Sequence, residues 1–229
     1  MSKLYIVGTP IGNLGDLSPR ARETLETADF IAAEDTRVTL KLLNHFGISK
    51  PMVSYYQHNL RERGEEIVNR IAAGESCALV TDAGMPAISD PGEDLVRLCA
   101  QHGIETVSVP GPTAALTALA LSGLSTSRFT FEGFLSTSRQ SRKEHLDSLR
   151  AERRTMIFYE APHKLRTTLG DLLEAFGDRK IALCRELTKL HEEVIRTTLE
   201  GAVERYRETA PRGEFVLVVE GAPPATPRE

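Results

Sequence analysis

Within the first 110 residues a single pattern recurs: a short strand-like run, a polar or turn-forming loop, then a helical stretch. The runs are Lys3–Val7, Asp29–Ala33, Met52–Tyr55, Cys77–Val80 and Glu105–Val109. They are too short for core helices, and the buried kind of strand reads as a near-continuous apolar run. Between them Ser18-Pro19 opens a helix with Leu25 and Ala28 on one face, Val38–Phe46 stops at Gly47, and Arg61–Ala73 stops at Gly74. A fourth helix is expected to start at Asp90-Pro91, with Asp90 as cap and Pro91 in the first turn, and to end at His102-Gly103. Strands alternating with helices predict a parallel α/β layer.

The centre of this layer is the stretch ALVTDAGMPAISDPG, Ala78 to Gly92. A buried strand delivers Asp82, Gly84, two prolines and Ser89 to its carboxyl end, where open α/β sheets place their ligand crevices. The competing reading is an ordinary turn between strand and helix. The first strand ends similarly, in Gly8-Thr9-Pro10-Ile11-Gly12, where glycine lets backbone approach a ligand closely.

Pro110–Ala114 reads as a hinge, and Leu116–Leu121 as a helix apolar nearly all round and hence buried. Beyond it, strands are predicted at Phe129–Leu135, Thr155–Tyr159, Lys180–Arg185, Glu193–Leu199 and Glu214–Val219, with helices at Arg142–Ala151, His163–Phe176 and Ala202–Glu208. Glu193–Leu199 alternates and follows its predecessor after a short link, which predicts antiparallel pairing. The fold class expected is therefore α/β, with an N-terminal α/β domain over 1–112, a C-terminal α/β domain with a mixed sheet over 113–221, and a flexible tail over 222–229.

Composition narrows the function. In 229 residues the formal net charge is −4, which argues against a general nucleic-acid coat but not against a local basic patch. Cys77, Cys99 and Cys184 form no CxxC or Cys/His spacing, so no metal is expected and the pattern is that of a reduced, cytoplasmic protein. No apolar run is long enough to span a bilayer, so no membrane partner is expected.

Four strand-end or hinge loops carry unusual backbone: Gly8–Gly12, Asp82–Ser89, Pro110–Ala114 and Tyr159–Pro162. A crevice between the two domains would gather them and offer backbone polar groups with few charged side chains. That suits a zwitterionic, adenosine-bearing ligand. A triphosphate would call for a GxxxxGK[ST] loop, which is absent. Glu34-Asp35-Thr36-Arg37 concentrates charge at a strand end and reads equally as a site or as a helix cap. His58-Asn59 lies in a polar loop, and Arg185–Lys189 with Glu192 and Glu193 reads as a site or as a surface ion-pair cluster. Ser138–Arg154 carries six basic and three acidic residues, a net +3 that suits phosphates, against the commoner meaning of a solvated helix.

The segments GTPIGNLGDLSPRA, AAEDTR, LVTDAGMPAISDPG, VPGPTAALTAL, FYEAPHKL, CRELTK and GEFVLVVEG, in that order, resemble the tetrapyrrole methylase superfamily, the class III S-adenosylmethionine methyltransferases. The resemblance runs from Leu4 to Gly221. AEDTR, DAGMPAISDPG and RELTK together resemble the branch of that superfamily that methylates a cytidine 2′-hydroxyl in the decoding region of 16S ribosomal RNA. The resemblance implies a homodimer acting on 16S rRNA in the small ribosomal subunit, with S-adenosylmethionine in the cleft between two α/β domains. Carried over by motif position, the cofactor contacts are Thr9, Pro10, Ile11, Gly12, Asp82, Ala83, Gly84, Met85, Ser89, Thr113, Ala114, Tyr159, Arg185, Glu186, Glu214 and Phe215.

Methyl transfer to a ribose hydroxyl needs in-line alignment and a group to take the hydroxyl proton. The candidate bases are Asp35 and Glu186, with His58 third. Arg37, Lys189 and Arg185 are candidates for holding phosphates or the developing alkoxide. Arg37, Asn59, Arg139, Arg142 and Lys143 are the expected RNA contacts. Two other functions stay open on sequence grounds: methylation of a tetrapyrrole carbon, and a non-catalytic nucleotide-binding module of ribosome assembly.

Overall fold

The computed structural model describes residues 2–224. The chain divides into two compact units, one ending at Thr113 and the other beginning at Ala114. Of the expected tail, residues 225–229 lie outside the described residues.

The first unit runs β1 (Leu4–Val7), a 3-10 turn (Leu14–Asp16), α1 (Pro19–Thr27), β2 (Phe30–Ala33), α2 (Thr36–His45), β3 (Met52–Ser54), α3 (Leu60–Ala72), β4 (Cys77–Val80), α4 (Glu93–Gln101) and β5 (Thr106–Val109). Its sheet has the order β3-β2-β4-β1-β5 and every pair is parallel. Successive side chains point to opposite faces. Leu4, Ile6, Phe30, Ala32, Cys77 and Leu79 pack against Ile67, Val68 and Ile71 of α3 and Leu95 and Cys99 of α4. Val7, Ile31, Ala33, Ala78, Val80 and Val109 pack against Ala21 and Leu25 of α1 and Leu43 of α2. Burial on both faces is why the inner strands β1, β2 and β4 read as unbroken apolar runs, while the edge strand β5, with Thr106 and Ser108 exposed, alternates.

The start of α4 differs from expectation. α4 begins at Glu93, after Gly92 at φ +146°, and Asp90 makes no cap to it. The Ala87 N–H donates to the Pro91 carbonyl at 3.3 Å, closing a tight loop first. Pro91 therefore belongs to that loop rather than to the first helical turn.

The second unit runs α5 (Ala114–Ser122), β6 (Phe129–Phe134), α6 (Arg139–Ser148), β7 (Thr155–Glu160), α7 (Leu165–Phe176), β8 (Lys180–Arg185), β9 (Glu193–Thr198), α8 (Leu199–Glu208) and β10 (Phe215–Val219). The sheet order is β6-β7-β10-β8-β9. β6 and β7 are parallel and the other pairs antiparallel, including β8 with β9. One face buries Met156, Phe158, Leu183 and Leu217 against Leu146, Leu169, Leu172 and Leu199 of the surrounding helices. α5 lies against the sheet as well, and the Cys184 Sγ is 3.8 Å from the Ala118 carbonyl. The expectation that α5 is buried all round is corrected. Ala115, Ala118, Leu119 and Ser122 form its buried stripe, while Leu116 is 52% exposed, because the helix rests on the sheet by one side only.

Candidate functional site

The strand order fixes where a ligand crevice falls in the first unit. From β1 the chain crosses to β2 on one side, and from β4 it crosses to β5 on the other, while β1 and β4 are neighbours. The loops after these two strands therefore diverge at the topological switch point. They are also tied together. The Thr9 N–H donates to the Gly84 carbonyl at 2.9 Å and the Gly84 N–H returns a bond to the Thr9 carbonyl at 3.1 Å. The buried Thr9 hydroxyl donates to the Thr81 carbonyl at 3.3 Å. Gly84 sits at φ +84°, a conformation glycine adopts without the steric cost a Cβ brings.

The loop after β5 closes on the same edge. A Cβ on Gly8 would stand 2.6 Å from the Cα and N of Gly111 and 2.7 Å from the Met85 Sδ. Only paired glycines permit that approach, and the Gly111 N–H points at the Met85 sulfur at 3.3 Å. Thr9–Gly12 and Asp82–Met85 are thus brought together by direct bonds. Ser89 shares the second loop, where it and Ala87 both hold positive φ, +67° and +68°. Non-glycine residues in that region cost about 1 kcal/mol or more each and concentrate at ligand-holding loops.

Next to this crevice the ends of β2 and β4 clasp each other. The Asp82 carboxylate accepts from the Asp35 N–H at 3.1 Å, and the Glu34 carboxylate accepts from the Asp82 N–H at 3.3 Å. Burial raises the carboxyls of Glu34 and Asp82 above their ordinary values. Asp90 is pushed up to about 6 by burial and then by the charges of Glu34 and Asp82. Asp35 goes the other way. The Arg37 guanidinium grips it with bonds of 2.6 to 3.2 Å and holds its carboxyl at about 2, while Asp35 also caps α2 through the Arg37 N–H. Arg37 itself is 87% exposed in its side chain. Glu34 belongs to the charged strand-end turn noted above, whereas Asp90, expected as a helix cap, stands here as a site residue; the signal in the sequence is the three carboxylates at 34, 82 and 90 flanking two adjacent strand ends.

In the second unit, β10 brings the expected residues side by side, since Phe215 pairs with Arg185 of β8 and with Glu160 of β7 while Val216 pairs with Tyr159. The Phe215 ring is buried in the core against Tyr206, so only its backbone faces the strand-end loop. Glu186 and Thr188 take positive φ, +50° and +65°. The Glu186 carboxylate accepts from the Glu214 N–H and from the Lys189 ammonium, each at 2.9 Å, and Lys189 also reaches Glu214 at 2.7 Å. Burial pushes the Glu186 carboxyl up, but these donors outweigh it and leave it below its ordinary value. Arg185 is held by Glu193 at 3.2 Å. The Tyr159 hydroxyl accepts from the Ala115 N–H, beside Ala114, at 3.2 Å.

The remaining residues fall elsewhere. His58 is exposed, edge-on to Tyr56, in the loop after the edge strand β3. The Asn59 amide closes that loop, accepting from the Tyr56 N–H at 2.8 Å and donating to the Ser54 carbonyl at 3.0 Å. On α6, Arg142 is bound to Asp171 at 2.6 Å and to the Ser136 and Thr137 carbonyls, with its side chain 12% exposed. That spends its guanidinium on the fold. Arg139 and Lys143 of the same helix have no ion pair among the described residues. Among those residues there is no group of three His, Cys, Asp or Glu arranged to hold a metal ion, and no helix is long and apolar enough to cross a membrane.

Comparison with known proteins places this architecture. Residues 3–203 match the tetrapyrrole (corrin/porphyrin) methylase family. The chain is 53% identical to the ribosomal RNA small subunit methyltransferase I of Synechocystis sp., over 98% of this chain and 81% of that one. It is 47% identical to the like-named Thermotoga maritima protein, over 96% of this chain and 99% of that one. The fold is similar to the crystal structure of diphthine synthase, with a TM-score of 0.71, 18% identity and coverage of 96% and 90%. It is also similar to a uroporphyrin-III C-methyltransferase from Thermus thermophilus complexed with S-adenosylhomocysteine, with a TM-score of 0.66, 18% identity and coverage of 96% and 97%. At such identities the structural likeness speaks to the fold, and the family follows from the sequence matches. The chain belongs to the tetrapyrrole methylase family, in the branch that contains the ribosomal RNA small subunit methyltransferase I proteins.

Proposed function

We propose that this chain is an S-adenosylmethionine-dependent methyltransferase that modifies a cytidine ribose 2′-hydroxyl in the decoding region of 16S rRNA, as a cytoplasmic homodimer acting on the small subunit. The observation that carries the reading is identity near 50% over almost the whole chain to relatives named for that RNA. The chemistry of the first unit supports the cofactor. The loops Thr9–Gly12 and Asp82–Ser89 hold no lysine or arginine, so they suit no phosphate chain. The carboxylates of Asp82 and Asp90 beside them suit a ligand that carries positive charge. Thr9, Gly84, Ala83 and Met85 would line it with backbone and short side chains. S-adenosylmethionine supplies an electrophilic methyl on a sulfonium whose sulfur leaves as a neutral thioether, so the transfer needs no metal.

The residues of the chain must align the ribose oxygen and take its proton. Asp35 is a weak acceptor, with its carboxyl at about 2 and its oxygens on Arg37. Asp90, at about 6, lies much closer to the value that serves a base near neutral pH. The proton therefore goes to the Asp90 cluster, and the Asp35–Arg37 pair presents an exposed guanidinium to the RNA. In the second unit, Glu186 acts as a clamp on the strand-end loop and, with Lys189, Arg185, Tyr159 and Glu214, as a determinant of cofactor affinity. The test is tritiated-methyl transfer to small subunits that lack their own methylation, followed by nucleoside mapping. Label on a cytidine 2′-oxygen is the expected result. Label on a base, or none, sinks the reading.

A further inference from the structure

A second set of cations lies at the opposite end of the second unit's sheet. An open pocket of about 710 Å³ is lined by Ser125, Ser127, Arg128, Arg153 and Arg154 together with residues 151, 152 and 155. Ligand sites run to about 300–1,000 Å³. Tyr159 lies four residues further along β7 than Thr155, about 13 Å at the strand rise, so the pocket stands apart from the strand-end loops described above.

Its wall is fixed by hydrogen bonds. The Thr155 hydroxyl donates to the Ser125 carbonyl at 2.6 Å and the Thr155 N–H to the Arg128 carbonyl at 3.2 Å. The Ala222 N–H donates to the Glu152 carbonyl at 2.6 Å, pinning the other rim. The charge is fixed as well. Glu152 takes Arg154 in a two-pronged pair of 2.9 and 2.6 Å and accepts the Arg154 N–H at 2.7 Å. That arrangement holds its carboxyl at about 2, so Glu152 is ionised at working pH and its charge is matched by Arg154. Arg128 and Arg153 are exposed, and their guanidinium groups make no hydrogen bond or ion pair among the described residues. Three arginines against one glutamate leave the pocket at +2 in a chain of net −4.

We propose that this pocket binds backbone phosphates of an RNA strand. The proposal rests on the RNA reading above for its partner. Two unspent guanidinium forks, rooted just before the adjacent parallel strands β6 and β7 and flanked by two serine hydroxyls, match phosphate oxygens in geometry and charge. Backbone contacts of this kind set register on the nucleic acid without reading its sequence.

The test uses the full chain and a fluorescein-labelled single-stranded RNA oligomer of arbitrary sequence, titrated by anisotropy across a salt series. For Arg128→Gln with Arg153→Gln, two lost phosphate contacts should flatten the log–log salt slope by about 1.4 and weaken binding about 25-fold near 0.1 M salt. S-adenosylhomocysteine affinity should stay at the wild-type value, which shows that the variant is folded. Arg128→Lys with Arg153→Lys keeps both charges and should restore the slope. Equal affinity and slope in wild type and the Gln variant overturn the proposal, and so does a wild type that does not bind the oligomer. Tritium transfer to small subunits is read separately. Oligomer binding through this pocket without methylation refutes the proposed activity and leaves the pocket in place.

Discussion

Asp90→Asn is expected to stabilise the protein in a pH-dependent way while slowing its chemistry. Asp90 ionises at about 6 in the folded chain, against an ordinary value of 3.8, because it is buried beside Glu34 and Asp82. A carboxyl raised on folding is favoured in its neutral form. It costs nothing below the unfolded value and increasingly destabilises the fold as pH climbs from about 4 through 6. Fully expressed, the difference between the two values would destabilise the fold by about 3 kcal/mol above pH 7; Asp90 is only half-buried, so solvent screening reduces it to about 1–2 kcal/mol there and to a few tenths of a kcal/mol at pH 4. Asparagine keeps the shape and removes the charge. The variant should gain about 1–2 kcal/mol at pH 8 and about 0.3 kcal/mol or less at pH 4, measured by urea unfolding with the wild type alongside. Single-turnover methylation at pH 7.5 should fall by about 10²–10⁴, the usual worth of a general base. An equal stability change at both pH values refutes the electrostatic account. A variant that gains stability but methylates at the wild-type rate refutes the assignment of Asp90 as proton acceptor.

Asp35→Asn should lower single-turnover methylation less than tenfold, since a carboxyl at about 2 is already a poor base, whereas Arg37→Ala should raise the apparent dissociation constant for RNA; a rate loss of about 10²–10⁴ in Asp35→Asn would restore it as the base. Gly8→Ala drives a Cβ to 2.6 Å from Gly111 backbone and should cost about 3 kcal/mol or more in urea unfolding. Gly170→Ala, in mid-α7 with nothing within 4 Å, should instead gain about 0.5–1 kcal/mol, and equal effects at the two positions would count against the close approach. Ala83→Leu and, separately, Glu186→Gln should each weaken S-adenosylhomocysteine binding in titration calorimetry with the melting temperature little changed, and wild-type affinity in either removes that residue from the cofactor site.

The parallel layer of the first unit was legible because burial on both faces leaves a local mark: the inner strands β1, β2 and β4 are near-uninterrupted apolar runs, and three of the four helices carry their own stops, at Gly47, Gly74 and Gly103. The strand-end loops of the site were legible for the same reason, since residues that break regular structure are visible one at a time. The antiparallel pairing of β9 could be read from its alternation. What the sequence by itself did not determine was anything that depends on neighbours far along the chain. The order β3-β2-β4-β1-β5, which places the switch point between β1 and β4, is set by packing among segments some 70 residues apart. The one-sided burial of α5 depends on how much of it the sheet can cover, which an all-round apolar pattern does not encode. Ionisation shows the divide most clearly. Asp35 and Asp90 are the same residue type, each followed by helix-starting signals, yet one is held at about 2 and the other at about 6. Arg37 is two residues from Asp35 and was in view throughout. The burial of Asp90 and the charges of Glu34 and Asp82 reach it only through the tertiary fold, and a carboxyl's proton affinity is a property of the field around it rather than of its place in the chain.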